Sequence, residues 1–281
     1  MPRSTPSPLV RLYFFNRAIR KLLPRAVRCW PVCALIEASV DGLCLGLLQR
    51  DFLRQISDVH YQDARKYRAK EFDYQSFDYN RRGLWDWEQQ AISRHFRSCR
   101  RLMVVGGGGG REVLALRRLG YEVDGFECDP GLVACASELL AAEGLVGTIR
   151  QCAPDECPHT EGPYDGIVIG WGAYLHIPGK RRRIAFLRGL RCLMNNDSPL
   201  LVSFCCRSSG ERRVKVIASV ANLIRWLLHR KFVELGDQLD PHFFHFFTRE
   251  EIVADLEAAG FQLEEYSEAG YAHAVARSRP G

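Results

Sequence analysis

No Cys-x-x-Cys pair occurs in this chain, although it carries 11 cysteines among 281 residues. An odd number of cysteines without repeated spacing excludes a small disulfide-built domain and argues against a structural zinc centre. Cys29/Cys33, Cys152/Cys157 and Cys205-Cys206 read instead as small apolar core residues, thiols of a reducing compartment, and the expected location is cytoplasmic. A bilayer-spanning run is also missing. The apolar stretch 29–48 is interrupted by Pro31, Glu37 and Asp41, and two acids near the middle are incompatible with a spanning helix. No secretory signal pattern is expected either.

Acidic residues are absent from the first 30 positions. Arg3, Arg11, Arg17, Arg20, Lys21, Arg25 and Arg28 supply +7 there, which leaves about −1 for the remaining 251 residues, since the whole chain carries +6. A nucleic-acid-binding protein shows its basic excess on a folded face, so nucleic acid is the less favoured partner. Leu9, Leu12, Ile19, Leu22 and Leu23 have roughly helical spacing beside these cations. The segment reads as an amphipathic helix docked on its own protein, with a mitochondrial presequence and peripheral membrane contact as the alternatives. Lys180 with Arg181, Arg182 and Arg183 reads as a solvated helix start.

Residues 102–127 are the most informative. The apolar run Leu102–Val105 enters five glycines, Gly106 to Gly110, a helical pattern starts at Arg111, and a second apolar strand ends on Glu127. Strand, glycine loop, helix, strand and acid form the unit that holds nucleoside cofactors. Glycine lets the backbone turn sharply near a ligand, and a helix N-terminus offers free N–H groups to anionic oxygens. The dinucleotide spacing G-x-G-x-x-G needs a small residue where Arg111 or Glu112 stands, and both are long and charged. A nicotinamide oxidoreductase is therefore disfavoured. Apolar flanks on both sides exclude a flexible linker.

The spacing Gly106-x-Gly108-x-Gly110 after an apolar strand resembles class I S-adenosylmethionine-dependent methyltransferases. The resemblance implies that Gly106, Gly107, Gly108 and Gly110 hold S-adenosylmethionine and that Glu127, seventeen residues past the last glycine, holds its ribose. The family's acid two residues before the first glycine is Val104 here, so the methionine end must be held differently. Tyr164-Asp165-Gly166-Ile167-Val168-Ile169-Gly170-Trp171 resembles the family's fourth strand, which places Gly170 and Trp171 at the cofactor. Thr248-Arg249-Glu250-Glu251 is a capping box that opens a helix to about Ala259, and Phe261–Tyr266 with Tyr271–Ala276 form a terminal hairpin. The implied fold is α/β, a Rossmann-like, doubly wound, mostly parallel seven-stranded sheet with a terminal antiparallel hairpin, plus an N-terminal helical layer. The expected division is a helical and aromatic cap over 1–98 and a cofactor domain over 99–281, with a lid insertion at about 207–245.

Between His60 and Trp87, aromatics (Tyr61, Tyr67, Phe72, Tyr74, Phe77, Tyr79, Trp85) alternate with Arg65, Lys66, Arg68, Arg81 and Arg82. Such faces suit a sulfonium cation or a flat organic acceptor, and equally a single-stranded nucleic acid. His176 after the fourth strand, or His242 and His245 from the insertion, are the candidate proton acceptors. His242 and His245 lack a third metal ligand in sequence, and no metal is expected. The motif Asn/Asp-Pro-Pro-Tyr of exocyclic-amine methylation is absent, which favours a small-molecule or lipid-like acceptor with an O or N nucleophile. Non-catalytic binding of an adenosine cofactor and RNA methylation are the alternatives.

Overall fold

The computed structural model describes Arg11 and residues 31–48, 73–145, 148–207, 212–239 and 242–279. The expected N-terminal helix and the aromatic residues from His60 to Phe72 lie outside these residues. In chain order the elements are α1 (Pro31–Leu47), α2 (Phe77–Asn80), α3 (Asp86–His95), β1 (Arg101–Val105), α4 (Arg111–Arg118) and β2 (Glu122–Glu127). Then come α5 (Pro130–Ala142), β3 (Ile149–Gln151), β4 (Gly166–Ile169), a 3-10 turn (Tyr174–His176), α6 (Lys180–Cys192), β5 (Pro199–Ser203) and β6 (Cys205–Cys206). The last are α7 (Arg212–Leu227), β7 (Asp237–Leu239), β8 (Phe243–Phe247), α8 (Arg249–Ala258), β9 (Phe261–Ser267) and β10 (His273–Ser278).

The chain divides into two compact units, Ala69–Cys206 with Phe247–Gly281, and Met1–Arg68 with Arg207–Phe246. The first is built on a seven-stranded sheet of order β3-β2-β1-β4-β5-β10-β9. β1 runs parallel to both β2 and β4, β2 to β3 and β4 to β5, while β10 is antiparallel to β5 and β9. The Rossmann-like order with its antiparallel end is thus present. β1 and β4 are continuous apolar runs because both of their faces are covered: Leu102, Met103, Val104, Ile167 and Ile169 are all buried. Phe96, Val113, Leu116, Ala136, Leu139 and Val275 close the core around Leu102 and Val104.

Local chemistry sets the helix ends as the sequence spacing suggests. Thr248 Oγ1 accepts the Glu251 N–H and Glu251 Oε2 accepts the Thr248 N–H (3.3 and 2.8 Å), so the capping box forms. Ser76 caps α2, and Asp129 Oδ1 accepts the Leu132 N–H at the start of α5.

One expectation fails. Arg183 is no solvated helix-start cation: it is 1% exposed, and its Nε lies 2.8 Å from Asp255 Oδ2, with the Tyr174 hydroxyl 3.1 Å from the same oxygen. Asp255 sits on α8, and α6 packs against that helix, so the guanidinium is paired across two helices far apart in sequence.

In the second unit, α7 lies against α1 at close range. A Cβ on Gly42 would meet the Ile217 carbonyl oxygen at 2.7 Å, and one on Gly46 the Ala221 oxygen at 2.9 Å. Val214, Ile217, Ala218 and Ala221 form the buried face of α7. β7 and β8 pair as an antiparallel hairpin in which Asp237 faces His245.

Candidate functional site

The site is built where β1 ends. β1 lies between β2 and β4, so the sequential order of strands reverses beside it and a crevice opens at the carboxyl ends, the place where open α/β sheets bind ligands. Gly106 and Gly107 donate their N–H groups to the Phe126 carbonyl at 2.8 and 3.0 Å. A Cβ on Gly170 would stand 2.0 Å from the Gly106 carbonyl oxygen, so the loops after β1 and β4 cross backbone on backbone and only glycine fits.

Glu127 ties this loop to the end of β2. Its Oε2 accepts the Gly108 N–H (2.9 Å), and Oε1 accepts those of Cys128 and Asp129 (2.7 and 2.9 Å). The carboxylate is buried yet keeps acceptor capacity on Oε2, beside the glycine loop.

The segment before the sheet folds over that loop. A Cβ on Gly109 would lie 1.9 Å from the Tyr74 carbonyl oxygen and 2.4 Å from Asn80 Nδ2. The Asn80 amide donates to the carbonyls of Tyr74 and Ser76, both at 2.9 Å, which fixes its orientation. Asn80 Oδ1 and Trp85 Nε1 are buried and have no hydrogen-bond partner among the described residues. An acceptor and a donor left in this way are the polar contacts a ligand would complete.

Aromatic rings continue from there: Tyr74 to Tyr79 (5.5 Å between centroids), Tyr79 to Trp85 (6.5 Å), Trp85 to Trp171 (5.7 Å) and Trp171 to Tyr271 (5.4 Å). All four contacts are edge-on, the arrangement favoured by the ring quadrupoles. Burial, then the charge of Glu112, pushes the Tyr74 hydroxyl up to about 12. Burial raises Tyr79 and Tyr271 as well, so these phenols are neutral donors and not bases.

Beneath the rings lies a buried ion triad. Arg111 Nη1 and Nη2 clasp Glu88 Oε2 and Oε1 at 2.6 and 2.7 Å, and Nη2 also meets Glu112 Oε1 at 2.6 Å. All three side chains are at most 6% exposed. Trp85 covers the guanidinium, whose carbon stands 5.3 Å from the ring centroid. Burial disfavours the Arg111 charge, but Glu112 and Glu88 outweigh it and hold the guanidinium protonated. Two carboxyl groups thus share one guanidinium in a dry place. Glu112 Oε1 also accepts the Trp171 N–H at 3.1 Å, which anchors the β4 loop to the start of α4.

Gly106, Gly107, Gly108, Gly110, Glu127, Gly170 and Trp171 are therefore brought together. His176, itself half-buried, ends the otherwise buried 3-10 turn after β4, and Ala173 of that approach would meet a Cβ on Gly106 at 2.5 Å. His242 and His245 belong to the other unit. His245 is fully buried with Nδ1 2.7 Å from Asp237 Oδ1, its partner directly across the β7–β8 hairpin. Glu234 joins them, and the three ligand atoms lie within 4.8 Å of one another. At 2.7 Å the His245–Asp237 contact is a cross-strand hydrogen bond. Sequence reading missed Glu88 and Asn80 altogether and took Arg111 and Glu112 only as obstacles to a dinucleotide. The one available signal was that two long charged residues follow a glycine loop directly, which demands buried partners.

No protein-family model matches the chain, and neither does any curated protein sequence. Solved structures do. A SAM-dependent methyltransferase from Methanosarcina mazei is 15% identical over 71% of this chain and 100% of its own, with a TM-score of 0.54. The CcbJ methyltransferase from Streptomyces caelestis is 15% identical over 74% of this chain and 100% of its own (TM-score 0.52), and TehB from Haemophilus influenzae is 18% identical over 74% and 66% (TM-score 0.51). The fold of the sheet unit is thus that of class I SAM-dependent methyltransferases. The cyclase SpnF has the same likeness, 16% identical with a TM-score of 0.52, so the fold by itself does not name the chemistry.

Proposed function

We propose that the chain binds S-adenosylmethionine and transfers its methyl group to an oxygen or nitrogen of a small, flat or lipid-like acceptor. The observation that carries this reading is Glu127, a buried carboxylate at the end of β2 that grips the Gly108 N–H and keeps acceptor capacity for a ribose hydroxyl. The residues present fit the cofactor. The glycine loop would take the nucleoside, and the unpartnered Asn80 Oδ1 and Trp85 Nε1 would complete polar contacts to it. The Glu88–Arg111–Glu112 triad supplies, from the helix start, the carboxyl group that an acid at position 104 would otherwise bring. Val104 itself is wholly buried in the core.

The cofactor, when bound, supplies an electrophilic methyl on a sulfonium. The chain's share of the work is positioning and exclusion of water. Tyr74, Trp85, Trp171 and Tyr271, all half-buried, would supply the aromatic surface for a cation and a planar acceptor. His176, in the turn after β4, is the group we assign to take a proton from the acceptor. His176→Ala is expected to lower turnover by about 10²–10⁴-fold with unchanged cofactor affinity. Equal turnover would remove it from that role.

Calorimetric titration with S-adenosylmethionine, S-adenosylhomocysteine and NADH tests the cofactor. Micromolar binding of the first two and not the third supports the reading. Binding of NADH alone, or of none, overturns it. If both adenosyl ligands bind but no acceptor in a broad panel of phenols, amines and carboxylic acids is methylated, a binding role without transfer is the better reading. The departure at Val104 favours that second possibility.

A further inference from the structure

We infer that the unit formed by Met1–Arg68 and Arg207–Phe246 docks on an anionic lipid surface, with the C-terminal part of α7 and the chain after it as the inserting edge. Two independent features point there. The first is charge. This unit holds 19 basic and 9 acidic residues, a net of +10, whereas the sheet unit holds 20 and 24, a net of −4. The excess extends well beyond the first 30 residues. Between Arg212 and Gly236 there are six cations (Arg212, Arg213, Lys215, Arg225, Arg230 and Lys231) and one acid, Glu234.

The second is an apolar face that stands exposed among the described residues. α7 spends Val214, Ile217, Ala218 and Ala221 on α1, as an ordinary amphipathic helix would. Its opposite side should then be polar. Instead Leu223, Trp226 and Leu227, spaced as one helical face, are 59%, 62% and 62% exposed, and Phe232 follows at 63%. Leu228 is exposed among them. A cluster of large apolar groups of this kind marks an interaction surface.

The residues between and beside these apolar groups decide the partner. Lys231 is exposed next to Phe232. Arg212 and Lys215 are exposed on the same side of α7 as the apolar groups, while Arg225 and Arg230 donate to the carbonyls of Leu45, Leu48 and Leu47 at the end of α1. Tryptophan, leucine and phenylalanine with exposed lysine and arginine on the same helix and beside it match a bilayer interface, where rings and alkyl groups enter the acyl boundary and cations meet headgroup phosphates. Nucleic acid would use the cations and leave three leucines in water. A second copy would bring two units of +10 together. No helix among the described residues is long and apolar enough to cross a membrane, so the contact is with the surface.

The test is co-sedimentation of the full chain with vesicles of phosphatidylcholine alone and of equal parts phosphatidylcholine and phosphatidylglycerol. The chain is expected to bind the anionic vesicles, with blue-shifted tryptophan emission, and to release in high salt. The triple variant Trp226→Ser, Leu227→Ser, Phe232→Ser is expected to bind them about tenfold or more weakly, because the apolar share of the attachment is gone. All three positions are exposed, so its melting curve should match the parent's. Several results would overturn the inference: no vesicle binding, equal binding to both vesicle types, or variant binding equal to the parent's, which would assign the contact to the basic N-terminal segment. RNA binding that the variant retains, or a dimer that it loses, would do so in favour of nucleic acid or a second copy. Cofactor titration of the same samples is independent of these outcomes, since the glycine loop lies in the other unit.

Discussion

Replacing Arg111 by Met tests the core of the site through electrostatics. The substitution keeps an unbranched, helix-compatible side chain and removes the charged guanidinium. Glu88 and Glu112, at 3% and 6% side-chain exposure, are then left side by side with no cation between them. Breaking a buried ion pair by removing one partner costs about 3–5 kcal/mol, because the remaining charge keeps its desolvation penalty. Here two carboxylates are stranded, so the upper part of that range applies. The loss must depend on pH. Burial already raises the Glu88 carboxyl above its ordinary value of 4.5, and without Arg111 that elevation grows. A raised folded-state value means that the acid form is tolerated, so the stability is present below pH 4.5 and is lost as pH rises through the elevated value. The deficit of Arg111→Met should therefore be largest near neutrality and shrink by about 1.4 kcal/mol per pH unit as Glu88 protonates. Urea unfolding followed by tryptophan emission reads this directly, since Trp85 lies over the Arg111 guanidinium. Glu88→Gln, which leaves Arg111 with one carboxylate, should cost less than Arg111→Met. A neutral-pH deficit below about 1 kcal/mol, or the same deficit at about pH 5 and about pH 8, would refute this account of the triad.

Three further outcomes follow from the same geometry. Glu127→Ala should weaken S-adenosylmethionine binding by about 10–100-fold in calorimetry, the worth of a charged hydrogen bond to a hydroxyl plus the loss of loop anchoring at Gly108, and unchanged affinity would misplace the ribose site. Gly170→Ala puts a methyl 2.0 Å from the Gly106 carbonyl oxygen, so it should cost about 2–3 kcal/mol in unfolding and disrupt cofactor binding, whereas an unaltered melting curve would mean that the two loops do not cross as described. Tyr74 ionises near pH 12 when folded against 10.0 otherwise, so its contribution of about 2–3 kcal/mol should fall away from pH 10 and level off near 12. Tyr74→Phe should flatten that share of the alkaline limb, and an identical limb in the variant would count against its burial over the glycine loop.

Much of the sheet unit was legible because its signals are local. β1 and β4 announce themselves as continuous apolar runs, Gly106 to Gly110 as a turn only glycine can make, and Thr248 with Glu251 as a reciprocal cap. Arg183 shows the limit of that reading. Its neighbours Lys180 and Arg181 are exposed, and only the packing of α6 on α8 brings Asp255 within 2.8 Å of Arg183. His245 is similar: the spacing His242-x-x-His245 suggested a pair, whereas the β7–β8 register gives His245 to Asp237.

The sequence by itself determined β1, the glycine loop, the acid at Glu127, β4 and the terminal helix and hairpin, since each is written in spacings of a few residues and follows from backbone sterics and hydropathic period. Tertiary structure alone decided what surrounds them. Asn80 reaches Gly109, Glu88 reaches Arg111, and Trp171 reaches Glu112 over separations of 23 to 59 residues for the last two. A buried charge or polar group must find its partner wherever the folded chain delivers one, and no local pattern records where that will be.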